Sequence, residues 1–369
     1  MVDAQDKPLR GLTVISIEQA VAAPFATSRL ADAGARVVKI ERPEGDFARG
    51  YDDVAKGQSS YFVWLNRGKE SLVIDLASPE GKDELTTLLA TADVLVQNLK
   101  SGALERLGFG FDHLAEVYPS LITCSISGYG ETGPMANRKA YDLLIQAEAG
   151  LCSITGGPEE AARVGISLVD IATGATAHAA ILEALIRRGI TGKGANISVS
   201  MFDVMADWLT VPLLQHEGGK GPKRIGMAHP SIAPYGAFTC KDGHQTLIAV
   251  QSDREFQLLA DRFIGRPEMA SDPRFATNVA RVANRTETDS AVAEAFSRMN
   301  SDQAIAALQE ANIAFASVND MAGLSAHPYL RRISVETANG TVSYPAPAAM
   351  FEGKTRAFGA VPELPDFVV

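Results

Sequence analysis

The sequence predicts an α/β protein: an open sheet of parallel strands with crossover helices, followed by a smaller α+β domain. Three observations predict it. Short β-branched runs alternate with helical stretches through the first half of the chain, as strands joined by crossover helices do. At residues 217–223 the composition turns to EGGKGPK, a linker. Beyond it, hairpin signals with Asp-Gly and Asn-Gly turns replace the alternation. A chain of 369 residues has room for two domains at roughly 100–200 residues each. The expected division is a large domain over 1–215, a small one over 225–320, and a segment 321–369 that returns to the large domain.

The elements follow in order. Leu12 to Ile17 (LTVISI) is a first strand. Pro24 sits where a first-turn proline belongs, Phe25 to Ala33 reads as helix, and Gly34 stops it. Arg36 to Glu41 and Ser71 to Leu76 are the second and third strands. Ser78-Pro79-Glu80 opens a helix to about Ala90, with Ser as cap, Pro in the first position and an acid in the first turn. Val94 to Gln97 and Leu121 to Ser127 are further strands. A long apolar helix runs from Ile171 to Arg188, ended by Gly189 and Thr191-Gly192-Lys193-Gly194, before a strand over Asn196–Met201. In the second half, Tyr235–Cys240 and Gln245–Val250 flank the Asp242-Gly243 turn. Helices are expected near Arg254–Ile264, Glu287–Met299 and Asp302–Ala311, then a hairpin over Ile333–Tyr344 around Asn339-Gly340.

The chain carries 34 lysines and arginines against 44 aspartates and glutamates, a net charge of −10. That balance argues against nucleic acid or an anionic membrane as partner. Any anionic ligand must be gripped by a local basic cluster. Cys124, Cys152 and Cys240 lie far apart without metal-type spacing, which suits a reducing compartment. The opening MVDAQDKPLRG has no apolar signal stretch, and no uncharged run reaches the roughly 18 residues of a membrane span. A cytoplasmic enzyme is expected. The six histidines never pair at ligand spacing, so no metal site is expected, and no G-x-S-x-G serine elbow occurs.

Gly128-Tyr129-Gly130-Glu131-Thr132-Gly133 matches G-x-G-x-x-G after a strand. Pro134 and Ala136-Asn137-Arg138-Lys139 then supply no helix whose N-terminus could hold a pyrophosphate. The glycines read instead as a tight loop near a ligand. Asp170 is a lone acid between apolar stretches at the start of the long helix. It caps that helix, or it is a nucleophilic carboxylate held ionised by the helix N-terminus, and the two roles are compatible. Asp142 reads as a cap of the helix that follows it. Lys39, Arg42, Arg49, Arg67, Lys69, Lys100, Arg106, Arg138 and Lys139 fall on loops flanking the strands. Ligands of α/β sheets bind at the carboxyl ends of strands, so these loops suggest a polyphosphate site on an acidic protein.

Gly11–Asp46, Asn66–Asp75, Asn98–Gly108, Gly128–Pro134 and Val169–Gly194 resemble, in order and spacing, the class III CoA-transferases. This family of formyl-CoA:oxalate and carnitine CoA-transferases also contains the 2-methylacyl-CoA racemases. The resemblance spans most of the chain and implies a Rossmann-like large domain, a smaller domain, and two open-ring chains interlocked as a homodimer. It implies CoA thioesters and carboxylic acids as substrates and no tightly bound cofactor. The family's catalytic aspartate falls on Asp170. Val21, Arg42, Asn66, Lys69, Asn98, Leu99, Arg106, Lys139 and Met201 fall on positions around CoA. The implied route runs through a mixed anhydride and an aspartyl-CoA thioester. Ile225–Pro230 occupies the place of a glycine-rich covering loop but is not a glycine run. Racemases carry a His before the acid corresponding to Asp142, where this chain has Tyr141. A phenol with a pKa of about 10 shuttles protons poorly near neutrality, so transfer is favoured over the alternative, a 2-methylacyl-CoA racemase-type isomerase. Glu18–Pro24 and Gly57–Ser71 are most similar to the branch acting on mesaconate, itaconate, citramalate or succinate. Tyr141, Arg49, Arg67 and His229 are the candidates for contacting the acid.

Overall fold

The structure, a computed structural model, describes residues 7–365. The first six residues, part of the stretch read above for a signal peptide, lie outside the described residues, as do the last four. Contacts divide the chain into two units. The first takes residues up to Leu151, Arg163–Leu213 and the chain from Arg331 on; the second takes Cys152–Ala162 and Leu214–Leu330.

The first unit is built on six strands: β1 (Thr13–Ile17), β2 (Arg36–Glu41), β3 (Lys69–Val73), β4 (Val94–Gln97), β5 (Ile122–Ser127) and β6 (Ala195–Ser200). All pair in parallel, in the order β3-β2-β1-β4-β5-β6. The parallel α/β sheet is the one the sequence predicts. β3 starts two residues before the expected Ser71, because Lys69 already pairs with Val37. Period-two alternation sends neighbouring side chains to opposite faces. Val14, Val37 and Val94 therefore join one core while Ile15, Val38 and Leu95 join the other, all at most 1% exposed. Helices α1 (Ala22–Asp32) and α8 (Leu168–Thr191) cover the first face. Helices α3 (Pro79–Leu89), α4 (Ala103–Arg106) and α5 (Phe111–Val117) cover the second. Further α-helices of this unit are α2 (Ser60–Asn66), α6 (Asp142–Glu148) and α9 (Met201–Trp208), while α7 (Leu151–Ile154) starts in it and has its other residues in the second unit. Ser78 caps α3 through the Gly81 N–H at 3.0 Å, as its sequence requires.

By length and composition α8 is apolar enough to cross a membrane. In the fold it packs along α1. Gly174 permits that approach: a Cβ there would sit 2.4 Å from the Ala22 carbonyl and 2.8 Å from Phe25 Cβ.

In the second unit, after α10 (Thr210–Glu217, which begins in the first), β7 (Tyr235–Thr239), β8 (Gln245–Ala249) and β9 (Ala314–Ser317) form an antiparallel sheet. The helix expected over Arg254–Ile264 divides into α11 (Asp253–Leu258) and a π-helical turn, Leu259–Ile264. Short α12 (Asn278–Ala283), then α13 (Arg285–Ser297) and α14 (Ser301–Glu310), precede β9, and α15 (Met321–Ser325) follows it. Phe238, Ile248, Phe256, Phe296 and Leu308 lie in one buried core. Back in the first unit, β10 (Arg332–Val335) and β11 (Val342–Pro345) make the expected hairpin. Its Ile333 and Val335 pack on Phe62 and Val63.

Candidate active site

The loops after β1 and β4 lead to helices on opposite faces of the sheet. The crevice between them is where a doubly wound sheet binds ligands. Asn98 fastens the two loops together. Its Oδ1 accepts from the Gln19 N–H at 2.9 Å, and its Nδ2 donates to the Gln19 carbonyl at 2.8 Å. A cavity of about 720 Å³ opens there, lined by Gln19–Ala22, Asn98–Ser101, Ser127, Gly128, residues 136–143, Met201 and Asp170. Gly128 lets Ala140 lie against β5, since a Cβ would fall 2.2 Å from the Ala140 Cβ. No helix follows this glycine loop before Asp142.

Asp170 stands in the first turn of α8. That turn has no side-chain cap from Ser167. The cap comes from Asp142, whose Oδ1 accepts from the Val169 N–H at 2.7 Å and the Asp170 N–H at 3.2 Å. Gln146 Nε2 holds the other Asp142 oxygen at 2.7 Å, and Gln146 is itself fixed by the Val164 N–H at 2.9 Å. This corrects the expectation that Asp142 caps its own helix. It also corrects the picture of Asp170 held ionised by the helix end. Asp142 takes those N–H groups, and burial together with its charge pushes the Asp170 carboxyl up to about 7. A desolvated carboxylate poised near neutrality can act as a nucleophile.

The N-terminus of α1 lines the same cavity. Val21 precedes it with no side-chain cap, and Val21 and Ala22 line the cavity. First-turn N–H groups have no partner within a helix, so this end presents partial positive charge. A buried ionic cluster supports the turn before it. Lys39 Nζ donates to Asp46 at 2.8 Å and to the Glu18 carbonyl at 3.1 Å. Asp46 accepts from the N–H of Ala20 at 3.2 Å, and Ala20 has φ of +64°. Lys69 Nζ donates to Glu18 at 2.7 Å, to the Pro24 carbonyl and to Asn66 Oδ1. Burial draws the Lys69 ammonium down to about 8 against the pull of Glu18.

The structure therefore sorts the expected residues. Val21, Asn98, Leu99, Lys139, Tyr141, Met201 and Asp170 line one cavity. Arg42 lines an adjoining cleft of about 270 Å³ that shares Gln19 and Leu99 with it. Arg106 reaches back to the Ser101 carbonyl at the rim. Asn66 and Lys69 lie beneath α1, turned inward because their polar atoms meet one another, Glu18 and backbone. Arg67 is buried against Asp32 with two hydrogen bonds. Arg49 pairs with Glu41 at 2.6 Å over the Phe62 ring. His229 belongs to the second unit, its ring stacked on Tyr235. The sequence reading missed the aromatic wall of Phe47, Tyr51 and Tyr61, whose rings meet in sequence at 5.7 and 5.5 Å. No local periodicity marks this wall, because Phe47–Gly50 is a 3-10 turn capped by Tyr51, and Tyr61 lies on α2.

A family profile described as "CoA-transferase family III" matches residues 9–364. The chain belongs to CoA-transferase family III. This family III chain is 37% identical over 355 residues to the acetyl-CoA:oxalate CoA-transferase of Acetobacter aceti, covering 94% of the chain and 90% of that protein. It is 33% identical to the succinyl-CoA:mesaconate CoA-transferase of Haloarcula hispanica, covering 87% and 83%. Its fold superposes on the crystal structure of a CAIB/BAIF family protein from Brucella suis with TM-score 0.83, 36% identity, and coverage of 98% and 97%. The chain is thus a class III CoA-transferase, an enzyme whose substrates are CoA thioesters.

Proposed function

We propose that this enzyme moves CoA between an acyl-CoA thioester and a short dicarboxylic acid, through a covalent aspartyl-CoA intermediate on Asp170. The observation that carries the reading is Asp170 itself. It is a half-buried carboxylate, pushed up to about 7 by burial and the Asp142 charge, in a cavity that the N-terminus of α1 also lines. The relatives named for oxalate and for mesaconate both act on dicarboxylates by name, which supports that acid class.

The steps balance without any external oxidant or reductant. Asp170 attacks the thioester carbonyl, the C–S bond breaks, and CoA leaves as thiolate, giving a mixed anhydride. The thiolate attacks the Asp170 carbonyl carbon and releases the donor acid as carboxylate, leaving aspartyl-CoA. The acceptor carboxylate then attacks that carbon, and CoA returns through a second anhydride to the acceptor, freeing Asp170. Each addition develops an oxyanion, and the N-terminus of α1, whose Val21 and Ala22 line the cavity, supports a reading in which backbone N–H groups stabilise it. Lys100, Lys139 and Arg163 around the cavity supply the positive field for CoA phosphates and a distal carboxylate. Among the described residues no histidine lines the cavity, which favours transfer over α-carbon isomerisation. A homodimer is part of the proposal. Ile186, Ile190, Trp208, Val211 and Leu213 are all more than half exposed, an apolar surface suited to a second copy.

The test is mass spectrometry of the protein incubated with acyl-CoA and then hydroxylamine. A hydroxamate at Asp170 is expected. Transfer at wild-type rate by Asp170→Ala would overturn the assignment.

A further inference from the structure

A second chamber, of about 500 Å³, lies beside the Asp170 cavity. The two share Tyr61 and Ser167 as walls. Successive residues of α8 face them, Asp170 the polar cavity and Ile171 the chamber. One turn of α8 thus contributes to both walls. The chamber's character differs sharply. Among the described residues no charged side chain lines it, and Trp64, Ile166 and Val342 supply much of its wall. The hydroxyls of Tyr61 and Ser167 at the shared edge face each other at 3.4 Å.

Both acids of a CoA-transferase visit the same carboxylate in turn. Here two cavities adjoin at Tyr61 and Ser167, one holding Asp170 and rimmed by Lys100, Lys139 and Arg163, the other apolar. A carboxylate pushed into the apolar cavity would lose its hydration with no cation to meet it. Resting on the CoA-transfer reading above, we propose that the apolar chamber is an acyl subsite for an uncharged acid. It takes the body of a branched-chain or aromatic monocarboxylic acid whose carboxyl carbon lies at Asp170. The dicarboxylate uses the polar cavity. The enzyme then exchanges CoA between two chemically different acids rather than between two dicarboxylates.

The test measures binding to the Asp170→Asn protein by titration calorimetry, using free CoA, acetyl-CoA and isovaleryl-CoA. Each methylene moved from water into an apolar site strengthens binding about fourfold. Isovaleryl-CoA is therefore expected to bind at least about tenfold tighter than acetyl-CoA. Adding Val342→Trp or Ile166→Trp fills the chamber and should bring that ratio to within about twofold. The ratio is read within each protein, so a variant that merely misfolds loses both ligands and does not mimic the result. Equal affinity for the two thioesters beside normal CoA binding overturns the chamber alone. A preference that survives both tryptophans does the same. Failure of free CoA and of every thioester to bind overturns the CoA-transfer reading itself.

Discussion

Replacing Asp170 by Asn should make the protein more stable and the enzyme inactive, and the stability gain should depend on pH in a defined way. Burial and the neighbouring Asp142 raise the carboxyl from its ordinary 3.8 to about 7. At most, that difference costs the folded state about 4 kcal/mol at high pH. Solvent reaches the site through the cavity, so a net cost of about 1–3 kcal/mol is expected. The sign follows from linkage. Below 3.8 both folded and unfolded chains hold the proton, and nothing is lost. Between 3.8 and 7 the unfolded chain has released it while the folded one has not, so wild-type stability falls as pH rises. Above 7 both are ionised and the penalty is constant. Asparagine has no such titration. Its advantage over wild type should grow by about 1–2 kcal/mol between pH 5 and pH 8 and then level off. Urea unfolding followed by tryptophan fluorescence measures this, because the two tryptophans, Trp64 and Trp208, both belong to the unit that carries Asp170. CoA transfer should fall about a thousandfold or more in the same variant. An advantage that is flat across pH, or a wild type more stable at pH 8, would refute the reasoning.

Transfer by the wild type should decline as pH falls through about 7, since only ionised Asp170 attacks. Asp142→Asn keeps an acceptor for the Val169 and Asp170 N–H groups but removes the repelling charge, so the acid limb of the kcat/KM profile should move to lower pH. Gly174→Ala should destabilise by about 1–3 kcal/mol, because the new methyl meets the Ala22 carbonyl at 2.4 Å; a shift in the urea midpoint measures it. Asn98→Ala removes both bonds to Gln19. It should cost about 1–3 kcal/mol and raise KM for the acyl-CoA, read from initial rates. Sedimentation equilibrium should give twice the 39.2 kDa chain mass, and Ile190→Glu should weaken that association.

Much of the first unit was legible because its signals are local. Alternating β-branched runs marked the strands, Ser78-Pro79-Glu80 marked a helix start, and Asn339-Gly340 marked a turn. Each depends on residues within a few positions of one another, where propensity and capping act. The lone acid at the start of a long helix was visible in the same way. The role of Asp142 was not. Its partners lie 27 and 28 residues on, and no local rule connects them.

The basic loop residues mark the same boundary. The order of residues showed that an acidic chain places cations in and beside its strands, Lys39 falling within β2 and Lys69 at the start of β3. It could not show which face the cavity and which turn inward. Lys69 finds Glu18 51 residues away, and Arg67 finds Asp32 35 residues away. A buried cation must be paired, so these two serve the interior, while Lys139 stays at the rim. The sequence by itself determined the parallel α/β class, the strand and turn positions, and the carboxylate on which chemistry can turn. Only the tertiary structure decided the environment of that carboxylate: the second acid that raises its pKa, the helix end lining the same cavity, and the apolar chamber that adjoins it. Each of those depends on groups distant in sequence brought together around one site of low dielectric, where both the cost of burying charge and the gain from pairing it are largest.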